Sequence, residues 1–410
     1  MTGLPRPLPR HRRVLVSGAG IAGPALAFWL HRHGFDVTVV EKAGAVRGGG
    51  YPVDVRGTAV EVVRRMGLLP QLRRAHISTR RITFLSTDGS PVAALRPEAL
   101  VGGTRDDLEV PRGELTALLH DAVRDDVAFV FDDSVAALDD RPDHVEVTFR
   151  SGARREFDLV VGADGLHSHT RHLAFGPEEP FHHYLGHCFA GFTLPNHLGL
   201  AHEGLVWNAP GRSAVLYAVG AGEHVHGFLD FARPEPPFAA FRSPGAQREL
   251  VAETFRDRQW EVPRLVAAMR CADDLFFDVV SQIRMPRWSA GRVALVGDAA
   301  YAPSFLTGQG TSLALVGAYL LAGELAAHPG HREAFAAYER LARPFVTADQ
   351  DLVGEGDAAL FPRTEEALRR RDETLRTLSA LPADTPRPAH SALVLPAYGE
   401  YGKVAGAGAG

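Results

Sequence analysis

The stretch that decides the fold reads Val14-Leu-Val-Ser-Gly-Ala-Gly-Ile-Ala-Gly23, and Asp36-Val-Thr-Val-Val-Glu41 follows it. The pattern predicts a strand, a glycine turn, a helix and a second strand that ends in an acid. Gly18 permits the tight turn, Gly20 lets the backbone approach a pyrophosphate, and Gly23 lets the helix pack close to the sheet. The stretch therefore predicts a dinucleotide-binding βαβ unit.

The acid at the end of the second strand supports this interpretation. Glu41 lies 18 residues after Gly23, close to the spacing of an acid that accepts a hydrogen bond from a ribose hydroxyl. The pyrophosphate would lie over the helix N-terminus, where free N–H groups and the positive end of the helix dipole favour an anion. Lys42, directly after the acid, belongs to the same predicted nucleotide site.

Composition indicates an ordinary globular protein without a nucleic-acid or membrane partner. The 410 residues are 45% hydrophobic and 23% charged, with a net charge of -5, which does not favour a polyanionic partner. The two cysteines, Cys188 and Cys271, are too few for a disulfide framework or a cysteine-rich metal site. Basic residues before Val14–Leu30 resemble the start of a signal peptide, but the glycine fingerprint inside that run favours a buried βα unit. We expect a cytoplasmic protein; its oligomeric state stays open.

Two further glycine-and-acid loops follow apolar strands later in the chain. One is Asp158-Leu-Val-Val-Gly-Ala-Asp-Gly-Leu-His-Ser168; the other is Gly291-Arg-Val-Ala-Leu-Val-Gly-Asp-Ala-Ala300, which continues through Thr307-Gly-Gln-Gly-Thr311. Ligands bind at the carboxyl ends of strands in open α/β sheets. FAD is long enough to contact three such loops, whereas NAD alone would not need the third.

With all three motifs in this order and spacing, the chain to about residue 380 resembles the single-component FAD monooxygenases of the para-hydroxybenzoate hydroxylase class. The tetracycline-inactivating branch and related actinobacterial tailoring enzymes are the most similar. The resemblance implies an α/β fold: a Rossmann-like FAD-binding domain, an inserted α+β substrate domain with an antiparallel sheet, and C-terminal helices.

This fold and the turn pattern predict the domain organisation. We expect a discontinuous FAD-binding domain, a substrate domain, a helical region broken near Pro344 and Pro362, and a tail rich in Pro, Gly and Ala. Their ranges are 1–75, 100–180 and 276–330 for the FAD-binding domain, 76–99 and 181–275 for the substrate domain, 331–381 for the helices and 382–410 for the tail. Regions Cys188–Thr193, Leu205–Asn208 and Val215–Tyr217 are expected to line the pocket above the flavin.

The resemblance also assigns cofactor residues. It implies that the middle motif serves FAD and the nicotinamide nucleotide, that the late Gly-Asp motif holds the ribityl chain, and that arginines from two other segments contact FAD. The start of the helix after the third loop is expected to face the pyrimidine edge of the flavin. The complete predicted set is Gly18, Gly20, Gly23, Glu41, Lys42, Arg47, Gly49, Arg112, Asp164, Gly165, Gly297, Asp298, Gly308, Gly310 and Thr311.

One region departs from the family pattern. Tyr301 stands where the family often has His, and Ala302-Pro303-Ser304-Phe305 replaces a Pro-Pro region. The departure leaves the Asp298 contact unaffected and puts the substrate side of the flavin in doubt. One of the second-domain histidines is a candidate general base for a substrate hydroxyl, and Tyr301, Asp54 and Tyr217 compete for that role, so the catalytic residues stay unknown. These histidines are His182, His183, His187, His197, His202, His224 and His226. None of the histidines has the spacing of a zinc helix, and we expect no metal.

The expected function is that of an FAD-dependent monooxygenase that consumes NADPH or NADH and dioxygen. The resemblance implies oxygen transfer through a flavin C4a-hydroperoxide, which would hydroxylate an aromatic or polyketide-like small molecule or oxidise it in a Baeyer–Villiger reaction. Two alternatives stay open. One is a non-redox cyclase or binding protein that keeps FAD as a structural element, and the other is a plain NAD dehydrogenase, which the third loop disfavours.

Overall fold

The computed structural model describes residues 12–399 except 47, 98, 100–103, 105, 239, 242, 257, 355–359 and 379–386. In chain order its strands are β1 Arg13–Ser17, β2 Asp36–Val40, β3 Pro52–Val55, β4 Arg81–Leu85, β5 Pro91–Leu95, β6 Leu108–Pro111, β7 Ala128–Val130, β8 Val135–Asp140, β9 Val145–Phe149, β10 Arg154–Phe157, β11 Leu159–Gly162, β12 His182–Pro195, β13 Glu203–Ala209, β14 Arg212–Ala218, β15 His224–Ala232, β16 Phe276–Ile283, β17 Ser289–Ala290 and β18 Val293–Leu295. Its α-helices are α1 Ala22–Arg32, α2 Thr58–Arg65, α3 Leu69–Arg74, α4 Arg112–Asp121, α5 His169–Phe175, α6 Pro244–Thr254, α7 Val262–Cys271, α8 Asp298–Tyr301, α9 Gly310–Ala327, α10 His331–Gln350 and α11 Glu365–Leu378.

A six-stranded sheet forms the first domain, in the order β17-β18-β11-β1-β2-β7. The central pairs β18–β11, β11–β1, β1–β2 and β2–β7 are parallel. Its strands are continuous apolar runs because both faces are covered. The carboxyl ends of β1, β11 and β18 lie at one edge of the sheet, so the three loops predicted from the sequence meet there.

Helix α9 is the core of this domain. It is apolar around its whole circumference and almost entirely buried, and it packs against α1, α2 and α10. Its length and composition would also allow it to cross a membrane. Because the rest of the domain surrounds it, its apolar surface is covered by protein, as in the central helix of a globular domain.

The second domain is built on a seven-stranded sheet in the order β16-β12-β15-β14-β13-β4-β5. One face carries residues such as Cys188, Ala190 and Leu229, which pack with Leu265 and Met269 of α7. The other face, which carries Phe189, turns towards the first domain. Because side chains alternate along each strand, only every second residue of the predicted pocket regions faces inward.

Three details differ from the sequence-based expectations. The strand Phe276–Ile283 pairs with β12, so the second sheet extends into the range that the sequence assigned to the FAD-binding domain. The pair β13–β4 is parallel within an otherwise antiparallel sheet. Pro344 lies inside α10 without ending it. Pro344 and Arg340 are both exposed, so water can solvate the carbonyl that the proline leaves without a donor.

Candidate active site

The first loop joins β1 to α1. Gly18 has a φ of +108°, and a Cβ at this position would lie 2.5 Å from the carbonyl oxygen of Ala163. A Cβ on Gly23 would lie 1.9 Å from the carbonyl oxygen of Gly18. Gly20 differs, because no atom lies within 4 Å of its Cβ position. Protein atoms therefore leave no room for a side chain at Gly18 and Gly23. The side of the loop at Gly20 is open, and there a pyrophosphate would approach the start of α1.

Glu41 lies beside this loop, as its spacing predicts. One carboxylate oxygen accepts a hydrogen bond from the backbone N–H of Ala19 at 2.8 Å, and the other accepts one from Ala43 at 3.0 Å. The acid therefore ties the glycine loop to the end of β2, in addition to its predicted contact with a ribose. Lys42 is exposed next to it.

The second loop leads from β11 into α5. The Asp164 carboxylate accepts hydrogen bonds from the backbone N–H of Thr170 at 2.9 Å and from its hydroxyl at 3.0 Å. The hydroxyl of Ser168 donates to the same carboxylate. Gly165 has a φ of +85° and no atom within 4 Å of its Cβ position. Asp164 thus holds the start of α5, and Gly165 is the part of the loop that a ligand can approach.

The third loop packs directly on the first. Gly297 has a φ of +66°, and its Cβ position lies 3.0 Å from the Cβ of Ala22. Asp298 is exposed, yet burial raises the pKa of its carboxyl, an effect that Arg112 partly offsets. Solvent exposure and a pKa raised by burial occur together in a group on the wall of a deep recess, because solvent reaches the group although protein surrounds it. Asp298 therefore faces a recess that the first and third loops share.

A fourth segment brings the predicted arginine to this recess. A Cβ on Gly113 would lie 2.5 Å from the backbone nitrogen of Gly49, and the Cβ position of Gly50 lies 3.4 Å from Cδ of Arg112. The glycine loop therefore lies against the start of α4, where Arg112 is partly buried. Arg47, predicted from the same segment, lies outside the described residues.

The start of α9 completes the recess. Gly308 is left-handed, with a φ of +65°, and its Cβ position lies 3.0 Å from a carboxylate oxygen of Asp54. Gly310 lies close to Asp298, since its Cβ position is 3.8 Å from Oδ1 of that residue. Gln309 is fully buried, and neither its amide nitrogen nor its amide oxygen has a partner among the described residues. An unsatisfied buried amide costs about 1–3 kcal/mol, so Gln309 and the open glycines fit a polar cofactor at this helix start. Thr311, the next predicted residue, is buried.

Aromatic side chains of the second sheet lie opposite these loops. The ring of Phe189 is 4.8 Å from that of Phe305 and 6.4 Å from that of Tyr51, measured between centroids. Phe228 and Phe276 also contact Tyr51, at 6.2 and 6.4 Å. Burial raises the pKa of the Tyr51 hydroxyl, with Arg112 acting against this shift and Asp298 adding to it. Tyr51 therefore connects the aromatic wall to the recess that the loops form.

Comparisons with known proteins agree with this geometry. Residues 11–182 match the model of a family described as FAD binding domain. A flavin-dependent monooxygenase from an unidentified prokaryote is 37% identical over 371 residues, which cover 89% of this chain and 95% of the relative. The chain belongs to the flavin-dependent monooxygenases. An uncharacterized protein of Mycobacterium tuberculosis is 42% identical over 88% of this chain and 97% of its own length. The crystal structure of the tetracycline destructase Tet(55) superposes with a TM-score of 0.82 at 34% identity, over 95% of this chain and 100% of that chain.

In this monooxygenase the residue that departs from the family pattern is part of the core. Tyr301 is fully buried and receives a hydrogen bond from the hydroxyl of Tyr338 at 2.9 Å, and its ring lies 4.6 Å from that of Trp288. Burial raises the pKa of Tyr301 to about 12. The phenol therefore stays neutral and structural. The same departure places Phe305 in the aromatic wall beside Phe189.

A cluster of polar groups lies between the two domains. The hydroxyl of Tyr217 donates to the carboxyl of Glu109, with both oxygens at 2.7 Å, and the Thr79 hydroxyl donates to the same group at 3.2 Å. Asp54 is directly opposite Glu109 in the β3–β6 pair, and it forms an ion pair with Arg56 at 2.7 Å. Burial and the charge of Asp54 raise the pKa of Glu109 to about 7, against the effect of its hydrogen bonds and of Arg56.

Glu109 is absent from the residues predicted from the sequence. The alternation in Leu108-Glu-Val-Pro111 indicates only that Glu109 faces away from the buried Leu108 and Val110. Its partner Tyr217 comes from the other domain. The burial that raises its pKa is therefore visible only in the folded protein.

A second polar cluster joins the middle loop to the substrate sheet. His167 lies between two carboxylates, with Nδ1 2.8 Å from Glu178 and Nε2 3.2 Å from Asp278 of β16. Hydrogen bonds to Asp278 and Glu178 raise the pKa of His167 to about 10, against the effect of burial. The imidazolium therefore links the two domains at neutral pH. Below we call His167, Glu178 and Asp278 the histidine clasp.

Proposed function

We propose that this monooxygenase uses NADPH or NADH and dioxygen to oxygenate an aromatic or polyketide-like small molecule. For a hydroxylation, substrate R–H, dioxygen, NAD(P)H and a proton give R–OH, water and NAD(P)+. Insertion of oxygen next to a ketone, as in a Baeyer–Villiger reaction, has the same balance. The observation that carries the proposal is the aromatic wall around Phe189 and Phe228, which lies opposite the recess of the three loops.

The residues of the recess fit FAD in different ways. Gly20 and Gly165 leave room for a ligand to approach the backbone closely. Glu41 would accept a hydrogen bond from a ribose, and Asp298 and Gln309 would offer polar groups to the rest of the cofactor. When bound, FAD would supply the redox chemistry that connects the nicotinamide nucleotide with dioxygen. The protein's part is to bind and orient both partners and to keep water away from the reacting atoms.

The Glu109–Tyr217 pair is the candidate proton acceptor for a substrate hydroxyl. A group with a pKa near the working pH is the most effective general base, and Glu109, with a pKa of about 7, meets that condition. Asp54 brings this pair close to Gly308 and so to the flavin recess. We propose Tyr217 as the residue that passes the proton, since its hydroxyl already donates to Glu109.

Tetracycline is the first substrate to test, because two solved relatives are named tetracycline destructases. The aromatic wall suits a flat, polycyclic molecule of this kind. The cytoplasm is the proposed location, since NAD(P)H is the proposed co-substrate and Cys188 and Cys271 are both free.

Spectroscopy of the purified protein tests the proposal. We expect a yellow protein that NADPH or NADH bleaches under nitrogen and that air recolours, with one atom of labelled dioxygen in the product and the other in water. Without a substrate, oxidation should be slow or should release hydrogen peroxide. Conversion of the substrate under nitrogen and without a nicotinamide nucleotide would overturn the proposal in favour of a cyclase with structural FAD.

A further inference from the structure

The inner face of the second sheet carries an acid that none of the roles above uses. Asp230 lies on β15 directly opposite Phe189 of β12 and Ser213 of β14. It is two residues from Phe228, so these side chains share one face of the sheet. Since the rings of Phe189 and Phe228 both contact Tyr51, Asp230 belongs to the wall that faces the flavin recess.

Asp230 is unusual because its buried carboxyl has no partner among the described residues. The residue is 5% exposed, and no described residue forms a hydrogen bond or an ion pair with its side chain. Burial alone raises its pKa well above the ordinary value, which favours the neutral form, whose O–H can donate. Asp278, on the other side of Phe189, differs because it has His167 as its partner.

Two other ionisable groups near this face already have partners. His187 on β12 lies 2.8 Å from the guanidinium of Arg363. Arg371 of α11 donates to Asn208 of β13 and to Asp372. A leucine in place of Asp230 would avoid the cost of burying an unpartnered polar group. A residue that costs stability and faces a binding pocket is characteristic of a functional site.

We propose that the Asp230 carboxyl, in its neutral form, donates a hydrogen bond to a carbonyl oxygen of a planar aromatic substrate. This inference rests on the function proposed above, because it takes the wall as the substrate pocket. Asp230 would then determine specificity. A ligand with an uncharged hydrogen-bond acceptor opposite Asp230 pairs with the carboxyl O–H. A ligand with a methylene group at that position leaves the O–H unpaired. Because Asp230 has no partner among the described residues, its carboxyl is available to a ligand on this face of the sheet.

Equilibrium dialysis of the oxidised holoenzyme tests this with two probes, 1,8-dihydroxyanthraquinone and the corresponding anthrone, which lacks one carbonyl. Wild type should bind the quinone about tenfold more tightly, the effect of one hydrogen bond. Asp230→Leu should bring the ratio of the two affinities close to one. Asp230→Asn, which keeps an N–H donor, should retain part of the preference. An unchanged ratio in Asp230→Leu, or a wild type that binds neither probe or shows no preference, would overturn the inference.

Thermal unfolding separates a substrate role from a structural one. Without a ligand, Asp230→Leu should melt at the same temperature as wild type or a few degrees higher. The matched control is Asp349→Leu on α10, since Asp349 is also a fully buried acid without a partner among the described residues, with a pKa that burial raises to about 8. That control should be stabilised without a change in the affinity ratio. A lower melting temperature for both Asp230 variants would show that the acid is structural. Dialysis needs neither NAD(P)H nor turnover. The affinity ratio can therefore be interpreted even if the oxidation assay fails.

Discussion

At the level of single residues, the Glu41 carboxylate has one structural role and one proposed role. It holds the backbone of Ala19 and Ala43, and its position at the end of β2 suits a ribose. A hydrogen bond to a charged group contributes about 1.5–3 kcal/mol, so Glu41→Ala should weaken FAD binding roughly tenfold to a hundredfold. Titration of the apoprotein with FAD measures this. Asp36→Ala, at the exposed start of the same strand, is the control and should bind FAD as wild type does; equal affinity in both variants would refute the assignment.

Glu109 should make the stability of the protein depend on pH. Its pKa rises from 4.5 to about 7 on folding, so the folded state holds the proton more tightly, and stability falls as pH rises through this interval. Glu109→Gln keeps an acceptor for Tyr217 but cannot ionise. Relative to wild type, the variant should therefore gain up to about 3 kcal/mol between pH 4.5 and pH 8. Urea unfolding at both pH values measures the gain, and a constant difference between the two proteins would contradict it.

At the scale of elements, the histidine clasp connects α5 and its loop to β16. The pKa of His167 is raised from 6.5 to about 10, so the stability it contributes is complete below pH 6.5 and is lost as pH rises through 10. The melting temperature of wild type should therefore fall more between pH 7 and pH 10 than that of His167→Gln. His172→Gln, an exposed histidine on the same helix, is the control and should behave as wild type. A parallel decline in all three proteins would show that the clasp contributes nothing.

At the scale of the whole molecule, the recess draws on segments far apart in the chain. A cofactor that binds only the folded protein stabilises all of them together, by about 4 kcal/mol at a thousand times its Kd. FAD should therefore raise the melting temperature of the apoprotein, and the rise at a given FAD concentration should be smaller for Asp298→Ala. Asp143→Ala, in an exposed loop, should keep the full rise. An equal rise in Asp298→Ala would show that the third loop lies outside the cofactor site.

The sequence by itself determined the nucleotide-binding half of this protein. Gly18, Gly23 and Gly297 are predictable because close contacts exclude a side chain there, and such local requirements appear as motifs. The family, the fold class and the long helix Gly310–Ala327 follow from the same motifs and from continuous apolar runs. The inner strand Phe276–Ile283 was not predicted, because a strand covered on both sides lacks the alternation that marks a half-exposed one.

Only the tertiary structure decided the substrate side. Glu109 acquires its raised pKa first from its burial and then from the charge of Asp54, in a neighbouring strand. In the sequence Asp230 is the one acid of a strand that is otherwise apolar except for two histidines, and its lack of a partner among the described residues is a property of the assembled sheet. Tyr301, a candidate base by its position in the chain, became a core residue when Tyr338 and Trp288 packed against it. The desolvation and the pairing of an ionisable side chain depend on which surfaces pack together in the folded protein. A local stretch of sequence does not show which surfaces these are.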